Sequence, residues 1–497
     1  MRLVQNVPFF SIMLCMVAGV GSAMLPRRGA QWLTAGLSAV ICALNAWLLW
    51  FLLGYGKSYT YLMGHFPSPW GNELRAGTLE ALTATVLSAV MLLSVLGGMR
   101  KAEEHVDLQK HALFYGMLDL VLAALMALIY TNDLFTAYVF VEIMTLASCA
   151  IIMARQVGHT MVAAMRYMMM SLLGSGLLLI AISLVYNLTG HLLMEPIRDS
   201  LAALVKTGAY RLPISVIIGL FFVGLGIKSA LFPFHTWLPD AYGYATPTAS
   251  AVLSSVVSKG YIFLLLKIFY RMIGIEVVRA DHALALLFFF GLTAMVLGSV
   301  TAIRSHDLRR MIAFSSVAQI GYIYAGIGLG ITAGVIAAMY HLIMHSLGKS
   351  MLFLSAWGLS DASGDSKRFA DLRGAGYRYP KAGAAFTVGA LGMVGMPVLG
   401  GFCSKLYFAG AAFQAGGASM WFLLCALVVS TLLNAFYFMH TVTGLYRRPR
   451  DGFEPKPFSR PRLTTVALWA FAGLNLLLGF FSQPLMQAIG DGLAMFS

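Results

Sequence analysis

The sequence predicts an all-α polytopic membrane protein of about fourteen transmembrane helices, with two inverted five-helix repeats and two broken helices. Three observations carry this. Of 497 residues, 59% are hydrophobic and only 11% charged, where soluble domains carry roughly 25% charged residues. Apolar stretches approaching or exceeding the ~20 residues that a helix needs to cross hydrocarbon recur along the whole chain. The Lys and Arg residues between them fall unevenly on alternate loops, the bias that orients a membrane protein.

In chain order the segments run 6–24, 31–54, 77–99, 112–130, 133–154, 162–188, 212–238, 247–270, 282–303, 310–329, 331–357, 383–410, 419–446 and 463–488. The first ends in Gly21, Ser22 and Ala23, so it has a second reading as a signal peptide. The loop charges favour a retained helix. Loops 1–2, 3–4, 5–6, 7–8, 9–10, 11–12 and 13–14 hold 21 Lys/Arg, and the other side holds 8. That places the first set in the cytoplasm and both termini outside. No stretch between segments is long enough for a separate soluble domain.

Segments seven and twelve read as broken. Pro233 follows Lys228 by five residues, and GMVGMPVLGG precedes Lys405. Proline removes a ladder hydrogen bond and glycine adds backbone freedom. Such breaks survive in a membrane only where the freed groups face protein or water. Breaks beside a charge, at similar places in two halves, are the pattern of transporters with inverted repeats. This divides the chain into a three-helix segment at 1–110, a first repeat at 111–271 (segments four to eight), a second at 282–446 (segments nine to thirteen), and a last helix at 463–488.

The net charge of +14 does not make a nucleic-acid binder. The basic residues sit in short loops, with no basic domain and no aromatic–basic interleaving. Cys15, Cys42, Cys149, Cys403 and Cys425 all lie in apolar segments with no CxxC spacing, which argues against a disulfide framework, an iron–sulfur cluster or a zinc site. No cofactor site is read, so any redox chemistry belongs to a partner.

Five lysines lie inside segments: Lys228, Lys259, Lys267, Lys349 and Lys405. A charge at bilayer depth costs ~3 kcal/mol even on lenient insertion scales, so each is a functional-site hypothesis by default. Glu142 supplies the opposite charge in segment five, and its natural partner is Lys228. The pair is read either as a proton-exchanging site or as a static ion pair kept for specificity. In segment eleven, His341, His345 and Lys349 are spaced i, i+4, i+8. On a helix they drift by only ~80° over ~12 Å, which makes a polar stripe along one face. Histidine exchanges protons near neutral pH, and a desolvated lysine can do so as well. The stripe is read as a relay, against the alternative of two histidines bonded to neighbours and a lysine snorkelling from a helix end. A His-x3-His pair can also bind metal, but Leu342 stands where HExxH needs Glu, and no carboxylate or Cys is near in sequence.

Weaker positions complete the inventory. Glu80 and Asp119 face either a water-filled cavity or a helix partner. His235, just after the first break, can link Lys228 to Lys259. Asp133 is expected to cap segment five, and Asp240 to cap or pin the loop before segment eight. Lys267 is expected to snorkel from a helix end. Arg166, Arg309 and Arg310 read as cytoplasmic charges, and Arg271 as an outer-loop charge.

At this point the motifs TNDLF…FVEIM, GIKSALFPFHTWLPDAYGYATPT, SKGYIFLLLKIF, DLRRMIAFSSVAQIGYI, YHLIMHSLGKSMLFL and GGFCSKLYF, in that order over about residues 110–450, resemble the antiporter-like subunit superfamily. This includes the A- and D-type subunits of Mrp sodium/proton antiporters, the antiporter-like subunits of respiratory complex I, and their counterparts in membrane-bound hydrogenases. The resemblance implies two inverted five-helix repeats forming one ion channel. It puts Glu142 as the segment-five glutamate, Lys228 as the segment-seven lysine and Lys259 as the central lysine. His341, His345 and Lys349 match the segment-eleven residues, and Lys405 the exit residue. The shorter, D-type members are the nearer match. The implied setting is the cell membrane of a prokaryote. The implied partners are other membrane subunits of an Mrp-type, complex I-like or hydrogenase complex, together with lipid, protons and, in some members, sodium. The alternative is a non-pumping scaffold in the membrane arm of a ferredoxin-, NADH- or hydrogen-linked redox complex.

The charge bias makes a direct prediction. Single cysteines placed in loops 367–381 and 447–462 should react with a membrane-impermeant maleimide in inverted vesicles and not in intact cells; the opposite pattern reverses the orientation.

Overall fold

Two helices with no lipid-facing side organise the fold. In the computed structural model, which describes residues 2–66, 71–206, 208, 210–448 and 461–496, every residue from 247 to 269 and from 337 to 362 is buried. The first belongs to the run Pro247–Ala280 and the second to the helix Thr332–Asp361. Around them stand helices with one apolar face turned outward. Arg27–Tyr55 exposes Trp32, Trp47 and Trp50, and Gly417–Leu445 exposes Trp421, Phe422 and Phe436. A helix hydrophobic all round belongs in a core or a bilayer, and this chain uses both.

Among the described residues, eleven helices are long and apolar enough to cross a membrane. They answer to segments two to ten, thirteen and fourteen. The other three expected segments take different forms. The first is Val7–Ser22, of 16 residues. The eleventh is Thr332–Asp361, of 30 residues, carrying the polar stripe. The twelfth is two helices, Pro380–Val394 and Gly400–Ala415. The chain is a multi-pass, almost wholly helical membrane protein.

Several expectations are corrected. A small antiparallel hairpin, Tyr59–Leu62 with Glu73–Ala76, interrupts the all-α pattern. An amphipathic helix, Met194–Lys206, lies between segments six and seven with only Met194, Ile197 and Leu201 buried. Segment eight continues to Ala280, and segment fourteen stops at Phe480, followed by a separate helix Ser482–Ala494. Most of the 447–462 loop lies outside the described residues.

The connections sort into two ends. At one, Tyr59 donates to the Gln5 carbonyl (3.2 Å), Arg75 to the Met495 carbonyl (3.1 Å), Asn132 N–H to the Glu73 carbonyl (2.9 Å) and Leu134 N–H to the Leu192 carbonyl (2.9 Å). Both terminal regions therefore share an end with the loops after segments two, four and six. At the other end, Lys101 pairs with Asp361 (3.1 Å) and Lys367 with Asp307 (2.7 Å), while Arg166 and Arg310 clamp Asp240 (2.6 and 3.3 Å). Asp240 thus pins its loop through ion pairs, and Asp133 caps Leu134–Met153 by accepting from Thr136 N–H (2.6 Å). Arg309 is not a solvated charge: it is buried with its guanidinium over the Trp357 ring at 3.8 Å.

Two further cations lie deeper than their sequence positions suggest. Lys267 does not snorkel. Its ammonium is fully buried and donates to the carbonyls of Leu128 (3.2 Å), Ile129 (3.0 Å) and Thr131. These include the orphan carbonyls that end the helix His111–Tyr130, where the helix dipole favours a cation. Arg271 is inside the Pro247–Ala280 run rather than in a loop. It bonds Glu80, donates to the Phe496 carbonyl (3.3 Å) and lies over the Phe496 ring (4.3 Å). Glu80 thereby faces a helix partner, as does Asp119, which accepts from Ser22 (2.6 Å).

Breaking a buried pair strands the remaining charge, at a cost of about 3–5 kcal/mol, whereas replacing both partners by apolar groups is far milder. Arg271→Met should therefore destabilise the purified complex strongly, and Glu80→Leu/Arg271→Met should recover much of the loss. Thermal unfolding of the single and double variants measures this, and equal losses in both would remove the pair from the stability of the fold.

Candidate functional site

The site runs through five helices and begins at the first break. Helix Arg211–Lys228 ends at the lysine itself. Ala230 then takes a positive φ of 60°, and a short 3-10 turn, Phe234–Trp237, follows. Lys228 is the last residue of the half-helix, so its side chain leaves from a point where the ladder has opened. Its ammonium is fully buried, donates to Thr145 Oγ1 at 2.7 Å and stands 3.8 Å from Glu142 Oε1. The charge pair is close but not directly hydrogen-bonded. Glu142 and Thr145 lie one turn apart on Leu134–Met153, which places both on the face towards the lysine. The Glu142 side chain keeps 26% of its surface exposed while Lys228 has none, so the acid stands at the edge of the chain and the base inside it.

Tyr261 carries the contact inward. Its ring lies 5.8 Å from the Lys228 ammonium, and its hydroxyl is 3.4 Å from Thr145 Oγ1. Two residues earlier on the same helix is Lys259. The helix is not regular there: residues Leu253–Val257 form a π-turn immediately before it. A π-bulge alters the carbonyl ladder and is frequent at functional sites. Lys259 folds back into this region, donating to the Ser254 carbonyl and to Ser258 Oγ (3.3 Å). It lies within electrostatic reach of both Lys349 and His345.

The expected stripe is present on Thr332–Asp361. Lys349 donates to the Ile312 carbonyl (3.0 Å) and to Ser315 Oγ. The His341 and His345 rings are nearly parallel, with centroids 6.2 Å apart. His341 Nδ1 bonds Ser404 Oγ at 2.6 Å, and the ring stacks on Tyr322 at 5.1 Å.

Lys405 closes the series at the second break, between Val394 and Gly400. Gly395 has φ +89°, and a Cβ there would come within 2.9 Å of Lys405 Cδ. Only glycine lets the chain turn while the lysine stem passes so close. The ammonium donates to the Val394 carbonyl (2.6 Å) and Thr431 Oγ1 (2.9 Å), and stands 5.9 Å from the Tyr322 ring that His341 stacks on.

Seven of the eight residues singled out from the sequence thus fall in one series, with Tyr261 between Lys228 and Lys259. His235 stands apart: it stacks on Phe232 (5.3 Å), its Nδ1 has no hydrogen bond among the described residues, and no bond joins it to either lysine. Thr145, Tyr261, Ser254, Ser258, Ser315, Tyr322, Ser404 and Thr431 were not anticipated. A hydroxyl in an apolar helix looks like any other packing residue. A π-turn has no sequence signal here beyond the run of serines at 254, 255 and 258.

The family model described as "NADH:quinone oxidoreductase/Mrp antiporter, TM" matches residues 131–434, which takes in every residue of the series. The chain is similar to NADH-quinone oxidoreductase subunit N of Desulforudis audaxviator, at 34% identity over 406 residues, covering 80% of this chain and 77% of that protein. Its fold is that of a chain in the membrane-bound sulfane sulfur reductase, an archaeal respiratory membrane complex (TM-score 0.88, 23% identity, 99% of this chain and 98% of that one). The Mrp complex from Dietzia sp. contains a similar chain (TM-score 0.87, 23% identity, 99% and 97% covered).

Proposed function

Because the chain belongs to the NADH:quinone oxidoreductase/Mrp antiporter transmembrane family, we propose that it is a proton-translocating, antiporter-like subunit of a multisubunit membrane complex. The observation that carries this is the series itself: Glu142, Lys228, Lys259, Lys349, His345, His341 and Lys405 lie on five helices, with Tyr261 standing between Lys228 and Lys259 and the others in contact with or in electrostatic reach of the next. Most of these groups are bonded to neutral hydroxyls and carbonyls rather than locked to a counter-ion. Lysine and histidine take up and release protons, and their protonated forms repel a sodium ion, so the series suits protons. In a low-dielectric path, a change of charge at one group alters its neighbour's affinity for protons. A change at the Glu142–Lys228 pair can therefore be felt at Lys259, then at the histidine helix, then at Lys405.

The same reading takes the chain as fourteen crossings, with residues 111–271 and 282–446 as inverted repeats. The matched breaks after Lys228 and before Lys405 support it, since discontinuous helices at corresponding places in two repeats form the ion sites of many transporters. His235, just beyond the first break, belongs to the mouth of that path. The sorting of loops to two ends supports both termini lying on one side, and the Lys/Arg bias makes that side the outside. Glu142, partly exposed on a membrane helix, favours a further membrane subunit against that face, because a lipid-facing carboxylate at this depth is costly.

Glu142→Gln and Lys228→Ala should abolish proton pumping in inverted vesicles while the complex still assembles by pull-down. Normal pumping by assembled Glu142→Gln would take Glu142 out of the mechanism. Further along, Lys259→Met and Lys405→Ala should fail, and Lys405→Glu should keep part of the activity because it can still titrate. Wild-type rates for Lys259→Met and Lys405→Ala, in intact complex, would leave the non-pumping scaffold as the better reading.

A further inference from the structure

Between His345 and Lys405 there is a cavity of about 10 Å³, the room needed for roughly one water. Its lining includes Gln319, His341, His345, Lys405 and Asn475. Four of these are nine-tenths or more buried, and they bring unpaired polar atoms with them. Gln319 Nε2, His341 Nε2, both ring nitrogens of His345 and Asn475 Oδ1 have no hydrogen bond among the described residues. Each would be costly if left unmet in a dry interior. So many convergent orphans around a space of one-water size are hard to account for by packing.

We infer that this cavity holds one ordered water, and that Asn475 is a positioning residue that aims this water between the histidine pair and Lys405. The water accepts from the Gln319 amide and from the one Lys405 N–H not already bonded, and donates to Asn475 Oδ1 and to an unprotonated histidine nitrogen. That completes the two to four polar partners a buried water takes. A metal cation does not suit the space, since no carboxylate lines it and Lys405 borders it. Asn475 belongs to helix Arg462–Phe480, beyond the matched residues 131–434 and beyond both proposed repeats, so the last helix has a role in the path rather than only in packing. Its amide reaches the site over Gly392, where a Cβ would sit 3.5 Å from both amide heavy atoms. This inference rests on the relay reading.

The test uses the whole complex. A cryo-EM map fine enough to show ordered waters should contain density bonded to Asn475 and His345, and a wild-type map without it overturns the inference. In inverted vesicles, Asn475→Leu should slow proton pumping about tenfold, the effect of losing one hydrogen-bond partner. Asn475→Ser, which can still bond the water, should keep most of the rate with assembly unchanged. If Ser is as damaging as Leu in assembled complex, Asn475 serves packing and the inference fails. If Asn475→Leu pumps normally while Lys405→Ala does not, the inference fails and the relay stands. If both pump normally, the relay falls and the inference with it.

Discussion

An ammonium group in a membrane interior must find its acceptors inside the protein, and the structure is arranged around that constraint. Each buried lysine meets it with backbone oxygens, hydroxyls or both. Lys405 takes the Val394 carbonyl at the end of a half-helix. Lys259 takes the Ser254 carbonyl within a π-turn, and Lys349 the Ile312 carbonyl. Lys267 takes the last carbonyls of a complete helix. Irregular backbone is tolerated at membrane depth only where it is covered by protein or lines a cavity. Here breaks and bulges supply the dipoles that make some of the charges tenable.

That constraint explains what was legible in the sequence. A charge within a long apolar run is anomalous by itself, so Glu142, Lys228, Lys259 and Lys405 stood out without a structure. The i, i+4, i+8 spacing of His341, His345 and Lys349 forced them onto one helical face. The breaks were legible from Pro233 and the glycines before Lys405. The second lies at 395–399, just ahead of the Gly400–Gly401 pair, because the positive φ values fall at Gly395 and Val398.

The partners were not legible. Each lysine is held by groups that any segment contains: a backbone carbonyl, or the hydroxyl of Thr145, Ser258, Ser315 or Thr431. Nothing about a carbonyl is visible in a sequence, and which serine faces which lysine depends on how helices far apart in the chain pack. The same blindness produced the errors over Lys267 and Arg271. Both stand near a helix end, where a cation normally reaches water, and both instead turn inward to acceptors contributed by distant segments.

The acceptors also separate two kinds of buried charge. Arg271 is bonded directly to a carboxylate, and Arg75 to Glu195. A full counter-ion neutralises such a group in place. Lys267 meets three carbonyls, and an ammonium has three N–H donors, so its hydrogen-bonding capacity is saturated. Lys259, Lys349 and Lys405 each make two protein hydrogen bonds, both to neutral atoms. Lys228 makes one, to a hydroxyl, with its carboxylate at 3.8 Å and not directly bonded. Lys259, Lys349 and Lys405 have no counter-ion among the described residues, so each can lose or gain a proton without stranding a partner charge. On the proposed relay reading, a charge that braces this fold differs from one that passes protons in how completely it is paired or hydrogen-bonded, more than in how deeply it is buried.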